Sequence, residues 1–534
     1  ARILIADAVG LGKTIETGIL LSELIARGRG RRILVVALKS VLEQFQEELW
    51  ARFTIPLVRL DSVGIERVRR NIPANMNPFQ KFDRVIISVD TLKKDAKYRR
   101  FLEACHWDVT VIDECQHVAV RGASATAGKT PSKAALKAGM SQRARLAKLL
   151  ARTCDSLILT SATPHDGKPE SFASLINLLE PTAVANESDY TADEIRGLYV
   201  RRFKKDIAAE AGDAFSERKV HAHHIPATPA EDAVLEGLRT AQFKTLRARG
   251  AGHGVLFRTT LLKGYLSSPE ALGSSIAERT KRVDLRAQRQ DDEGDAGASS
   301  PHAMQPEDLA HDRALLNELA ALTKQSPSPK SGKFQKLVEL LKGFGVGDAA
   351  RDERVVIFSE RIQTLEMLER ELRRATGVPK DAIGTFHGSL DDQQQQALVK
   401  DFGTQRSPLR VLLCSDAASE GINLHYHCHR MVHYDIPWSL ITLEQRNGRI
   451  DRFGQHHTPD IHYLFTRPSS EALKGDLRIL EVLTEKEHRA HKNLGDVQWL
   501  MNLHDPVAEA DRVAAAISQH EDPDSFIRDP DKLA

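Results

Sequence analysis

Apolar residues along this chain come in short unbroken Val/Ile/Leu runs, separated by stretches in which they recur every three or four positions. The first half offers "RILIA", "RRILVVAL", "DRVIISVD", "DVTVIDE" and "SLILTSATP". The second half repeats the grammar with "RVVIFSE", "IGTFHGS", "LRVLLCSD", "RMVHYDIP" and "IHYLFTR". Runs that are apolar on both faces read as buried strands of parallel sheet, and the segments between them, such as 13–26, 41–52 and 142–152, read as covering helices. The pattern predicts an α/β protein with two lobes in tandem.

Between the lobes the pattern changes. "YVRRFKKDIAAE" and "EDAVLEGLRTAQFKTLRARG" read as helical, "RQDDEGDAGASSPHAMQPEDL" as a disordered loop, and "KQSPSPKSGK" as a second linker. A polar stretch at 121–139 interrupts the first lobe, and after about 468 the chain reads as polar helix. The expected organisation is a first lobe at 1–200, a helical insert and linker at 201–330, a second lobe at 331–468 and a helical extension at 469–534.

Composition narrows the classes. A chain of 534 residues is too long for one core. The formal net charge is only +2, so a nucleic-acid surface has to be a local patch. Five cysteines stand without a C-x-x-C pair, which argues against a disulfide framework or zinc ribbon and fits a reducing compartment. No apolar run approaches the length of a membrane span, and no signal peptide is present, so a cytoplasmic protein is expected. The chain opens on a strand without an initiating Met, and the expectation is an upstream part beyond this sequence.

The chemistry begins in "ILIADAVGLGKTIETG", a strand, a Gly-rich turn and a helix. Gly10 and Gly12 let backbone N–H groups turn inward, and the helix from Lys13 aims its N-terminus at the same point. Lys13 then suits β- and γ-phosphates, and the Thr14 hydroxyl suits magnesium. Asp7 departs from the G-x-x-x-x-G-K-[ST] pattern, and an ordinary strand–turn–helix is the plainer alternative. "TVIDECQH" puts Asp113 and Glu114 at the carboxyl end of a buried strand, where open α/β sheets bind ligands. One carboxylate can hold magnesium while the next orients or deprotonates water; helix capping is the alternative. "LTSATPHDG" offers Ser161 and Thr163 at another strand end, and "CSDAASEGINL" offers Asp416 and Glu420. In "LEQRNGRIDRFGQ", Arg446, Arg449 and Arg452 would share a helix face, set either for an anion or for internal salt bridges such as one to Asp451.

Taken in order, "DAVGLGKTIETG", "VVALKSVLEQFQEEL", "IDECQH", "LTSATPHDG", "YVRRFKKDI", "VVIFSE", "FHGSL", "SDAASEGINLH" and "QRNGRIDRFGQ" resemble the superfamily-two helicase core. They are more similar still to its Swi/Snf (Snf-two) ATPases, in the bacterial RapA/HepA-like branch, which includes helicase-like proteins of phage-defence islands and phospholipase-D fusions. The resemblance spans about 1–467 and implies two RecA-like lobes. It implies that Gly10, Leu11, Gly12, Lys13 and Thr14 cradle ATP, that Asp113 holds magnesium and that Glu114 acts on water. Gln445, Arg449 and Arg452 would sense the γ-phosphate, the last two as arginine fingers, and Ser161 and Thr163 would couple ATP state to lobe closure. Nucleic-acid contacts would fall to Lys39, Ser40, Ser88, Thr91, His387, Gly388, Ser415 and Asp416.

Three positions depart from the family: Ala8 where Glu is frequent, Leu38 where Pro is common, and Gln116 in place of the DEAH histidine. None removes a group from the ATP chemistry. The family's adenine-reading glutamine motif would lie upstream of the first strand. "HYHCHRMVH" holds His425, His427, Cys428, His429 and His433, but alternation along an extended chain divides them between two faces, so a metal is not expected there. The implied activity is an ATP-driven motor tracking on double-stranded DNA, nucleoid-associated when bound, that displaces or recruits a protein partner. A strand-separating DNA or RNA helicase and a degenerate ATPase scaffold are the alternatives. The latter would not need Lys13, Thr14, Asp113, Glu114, Arg449 and Arg452 all intact.

Overall fold

The computed structural model describes residues 1–60, 62–94, 96–120, 141–164, 168–203, 206–207, 217–247, 251–293, 306–348, 353–419, 422–494 and 497–532. The chain divides into two compact units, one centred on Ala1–Phe215 and the other on Ser216–Glu420, Leu424–Met501 and Pro506–Ala534.

Among the described residues the first unit holds seven strands: β1 (Arg2–Ile5), β2 (Ile33–Ala37), β3 (Val58–Arg59), β4 (Arg84–Ser88), β5 (Trp107–Ile112), β6 (Cys154–Thr160) and β7 (Tyr199–Val200). They form one sheet in the order β3-β4-β2-β5-β6-β1-β7, and every pairing is parallel. β2 shows why the run is continuous. Leu34 and Val36 join the core on one face, while Ile33, Val35 and Ala37 join the core on the other. A parallel sheet buried on both sides needs apolar residues at every position. The helices Lys13–Ala26, Leu42–Phe53 and Gln142–Arg152 lie within a residue of the segments expected from the pattern.

The second unit holds β8 (Lys219–Pro226), β9 (Val355–Phe358), β10 (Ile383–Phe386), β11 (Val411–Cys414), β12 (Arg430–His433) and β13 (Asp460–Arg467). Their order is β10-β11-β9-β12-β13-β8, again all parallel. Each unit is thus a doubly wound α/β lobe, with helices from Pro229 to Gln325 and from Glu471 to Phe526 added to the second.

Three strands differ from the pattern-based expectation. β7 begins the stretch read as a helix, and β8 lies within the stretch read as a helical insert; β3 spans only two residues. All three lie at or beside sheet edges, and β8 buries only Ile225, so no apolar run announces them. The segment 289–309 also differs. A helix from Pro269 continues to Glu293 and another starts at Pro306, so only 294–305 falls outside the described residues. Buried Leu272, Ile276 and Val283 anchor the first of these helices, and the charged tail prolongs it. The polar stretch 121–139 lies outside the described residues.

Candidate active site

The carboxyl edge of the first sheet gathers most of the residues singled out in that unit. After β1 the backbone turns through Gly10 (φ +85°) and Gly12 (φ +93°), both in the left-handed region that glycine adopts without a Cβ penalty. Gly12 caps the helix Lys13–Ala26, so the free N–H groups of its first turn face the loop. Lys13 Nζ donates to the carbonyls of Asp7 (3.0 Å) and Ala8 (3.5 Å), which holds the ammonium over the loop. Asp7 is buried and accepts from Arg202, at the end of β7, through its N (2.9 Å), Nε (2.9 Å) and Nη2 (2.6 Å). Glu16, in the helix's first turn, also pairs with Arg202, and burial with neighbouring Asp7 pushes its carboxyl up to about 7. Asp7 therefore replaces the usual glycine as an anchor for the loop.

Asp113 follows β5 directly. Its carboxylate accepts from the Thr160 hydroxyl at the end of β6. Burial, reinforced by the charge of Glu114, pushes its pKa up to about 6. Glu114 has φ +48°, a left-handed conformation that costs a non-glycine residue about 1–3 kcal/mol and clusters at functional sites. Glu114 Oε2 accepts from Gln116 Nε2 (2.8 Å), and Gln116 Oε1 accepts from Ser161 Oγ (2.6 Å). Ser161 Oγ in turn accepts from the Thr163 backbone N–H (3.1 Å). The expected Glu114, Ser161 and Thr163 are thus joined by Gln116, noted in the sequence only as a departure. A side chain that donates at one end and accepts at the other suits such a bridge. Thr160 and Arg202 are the other residues the sequence reading missed; a buried carboxylate in place of a loop glycine needs a cationic partner, and that was the available signal.

The donors fit nucleotide chemistry: backbone N–H groups and an ammonium for phosphate, with a hydroxyl (Thr14) and a carboxylate (Asp113) for a hard divalent cation.

In the second unit the three arginines separate. The helix expected to carry them is Leu440–Asn447, ending at the Asn-Gly turn, so Arg449 and Arg452 lie beyond it. Arg446 is fully buried; its Nε donates to Asp416 Oδ1 (2.6 Å) and its Nη1 to the Asp435 carbonyl (3.2 Å). Asp435 also accepts from Ser267, Ser359 and the Glu360 N–H. Asp451 pairs with Arg218 and His491. Arg449 is 7% exposed and its Nε donates to the Gln445 carbonyl (3.0 Å); Gln445 and Arg452 are half-buried.

The nucleic-acid candidates are scattered. Lys39 is exposed, and the Ser40 side chain lies outside the described set. Ser88 and Thr91 are buried and share a hydrogen bond (2.8 Å). His387 Nδ1 lies 2.7 Å from Ser389 Oγ, Gly388 packs beside Ala417, and Ser415 caps the turn Asp416–Ala418. In "HYHCHRMVH", Cys428 Sγ points to the Arg430 carbonyl (3.2 Å) and His433 Nε2 pairs with Asn447 (2.9 Å), so these side chains do not converge.

Two parallel-sheet lobes, the first with a glycine-cradled helix N-terminus beside an acidic strand end, define a helicase-like ATPase core. Residues 2–205 match the SNF2-related domain and residues 332–454 the helicase conserved C-terminal domain. The chain thus pairs an SNF2-related domain with a helicase C-terminal domain, the two-domain arrangement of Swi/Snf-type helicase-like ATPases. It is 28% identical over 492 residues to the RNA polymerase-associated protein RapA of Photobacterium profundum, covering 88% of this chain and 46% of that protein. The chain therefore spans about half the length of the curated relatives it matches. Among solved structures it is similar to the Pyrococcus furiosus Hef helicase domain (17% identity, 87% of this chain and 92% of that one, TM-score 0.47). It is also similar to the Sulfolobus solfataricus SWI2/SNF2 ATPase core in complex with dsDNA (16% identity, 99% and 92%, TM-score 0.33).

Proposed function

We propose that this chain is the ATP-hydrolysing core of a motor that tracks along double-stranded DNA. The observation that carries the reading is the bridge from Glu114 through Gln116 and Ser161 to Thr163. It links the carboxylate assigned to the attacking water with the loop assigned to coupling, as a nucleic-acid-dependent ATPase requires. Gly10, Leu11, Gly12 and Lys13 would cradle the phosphates. Thr14 and Asp113 would hold magnesium, which neutralises phosphate charge when bound. Arg449 and Arg452, with Gln445, would answer to the γ-phosphate, a role the family resemblance supports. Arg446 would instead brace the second unit.

Lys39, Ser40, Ser88, Thr91, His387, Gly388, Ser415 and Asp416 mark turns that would meet the nucleic acid. For Ser88 and Thr91 the contact would fall to the backbone, since their hydroxyls bond each other. The lobes at 1–200 and 331–468 would alternate their grip as ATP binds one arrangement better than another. RapA relatives are named for association with RNA polymerase, and a protein partner of that kind, displaced or recruited, fits the same motor. The work would be cytoplasmic, at the nucleoid; among the described residues no helix is long and apolar enough to cross a membrane.

The test is steady-state ATP hydrolysis without nucleic acid and with single-stranded DNA, double-stranded DNA or RNA, using Lys13→Ala as the blank. Stimulation by duplex DNA, absent in the blank, is expected. Preference for a single strand would replace the reading with an unwinding enzyme, and no rate above the blank would replace it with a scaffold.

A further inference from the structure

Away from the nucleotide site, β8 and β13 build a second cluster of chemistry. The two strands run parallel with His221 directly opposite His462. Side chains alternate along a strand, so Asp460, two residues before His462, shares its face. His221 Nε2 lies 2.9 Å from Asp460 Oδ1, and His462 Nε2 lies 3.3 Å from the same oxygen. One ligand atom from each of the three residues lies within 4.8 Å of the other two.

An ordinary histidine–aspartate ion pair does not account for this arrangement. His462 is 5% exposed, yet its Nε2 makes no hydrogen bond, and neither does Asp460 Oδ1, although the two atoms are close. Buried polar atoms are normally satisfied. Here the nitrogen and the oxygen stand close without a well-aligned hydrogen bond between them. Atoms bound at ~2.1 Å to one tetrahedral or octahedral ion lie about 3.0–3.4 Å apart, close to the two separations seen.

The surroundings fit as well. The other ring nitrogen of His462, Nδ1, lies 2.9 Å from His223 Nε2, and with Nδ1 as the donor of that bond Nε2 is left unprotonated for an ion. Arg430, paired with Glu353, stands 3.8 Å from Asp460 Oδ2, the carboxylate oxygen not offered to the ion. Phe344 packs against His462 at 5.1 Å between ring centroids and closes the buried side. His221 is partly exposed, with 46% of its side chain open to solvent, which leaves an entry path and room for water.

We propose that His221 Nε2, Asp460 Oδ1 and His462 Nε2 bind one divalent transition-metal ion of the zinc class, with water completing its shell. Two imidazoles and a carboxylate select such an ion over calcium or magnesium. The ion pins the edge strand β8 to β13, its neighbour in the sheet. The five cysteines are all buried and free and take no part.

The experiment uses the full, tag-free chain, stripped with a chelator and titrated with Zn²⁺ alone against a chromophoric competitor. One equivalent should bind, and the melting temperature should rise with it. His221→Ala and Asp460→Asn should each weaken binding at least tenfold and abolish the rise. His221→Ala changes an exposed edge residue, so its fold is checked by its metal-free melting temperature. His106→Ala serves as the control, because His106 and Asp155 form an exposed pair at the same 2.9 Å in the first unit. Co²⁺ in place of zinc should give visible bands that His221→Ala loses. No saturable zinc binding, or binding that His221→Ala and Asp460→Asn leave unchanged, overturns the proposal.

Discussion

In the first unit, the charged residues of the sheet edge keep functional atoms oriented. Asp113 and Glu114 are held by a hydroxyl and an amide, groups that restrain a carboxylate without neutralising it. In the second unit, Arg446 is enclosed by Asp416 and Asp435, which neutralise it and fix the turn where they meet. Arg449, three residues on, is nearly as buried, and its Nε donates to the Gln445 carbonyl. The charged residues of the two sheet edges therefore divide by the partners that hold them. A group restrained by neutral donors or acceptors keeps its charge for a ligand, whereas a group held by opposite charge serves the fold.

The strongest way to break that comparison is to exchange the two arginines' phenotypes. Arg449→Ala should lower the nucleic-acid-stimulated turnover by ~10³–10⁵-fold while its melting temperature stays near that of the parent. Arg446→Ala should do the reverse first. Removing one partner of a buried pair costs about 3–5 kcal/mol, and denaturant unfolding of the second unit should shift accordingly. If Arg446→Ala kept full stability and lost only turnover, the division by partner would be wrong. Next in size is Gln116→Ala, which leaves Ser161 and Glu114 without their bridge. A stranded buried hydrogen-bonding group costs about 1–3 kcal/mol, so roughly a tenfold or larger loss of stimulated rate is expected, with ATP binding retained in an equilibrium assay.

The smallest effect is on pH. Asp113 sits above the ordinary carboxylate range, at about 6. Between that value and its unfolded value the folded chain holds a proton that the unfolded chain has released, so Asp113 makes stability rise as pH falls through this window. Asp113→Asn should remove that acid-side gain in melting temperature. In the parent, magnesium-dependent nucleotide affinity should weaken as pH drops below about 6, because the protonated carboxyl no longer serves the cation.

The ten strands with continuous Val/Ile/Leu runs were legible because burial on both faces leaves a mark at every position. β8 was not, because an edge strand with "KVHAHHIP" buries one residue and keeps polar side chains elsewhere. Lys13 and Asp113 were legible from local context, a glycine turn and an acidic strand end. The pairing of His221 with His462 depends on strand register across a separation of 241 residues, and no local pattern encodes it. Nor does the spacing of Arg446, Arg449 and Arg452 reveal which one Asp435 reaches, since the strand β12 that leads to Asp435 is positioned by tertiary packing.

The clamp of Asp7 by Arg202 bears on how the protein is made. Its partners stand 195 residues apart, so the glycine loop leaves the ribosome well before the cation that steadies it. At about 5–20 residues per second the delay is roughly 10–40 s, during which Asp7 has no Arg202 to pair with. The nascent first unit therefore completes its nucleotide loop only after β7, the strand that precedes Arg202, has been synthesised.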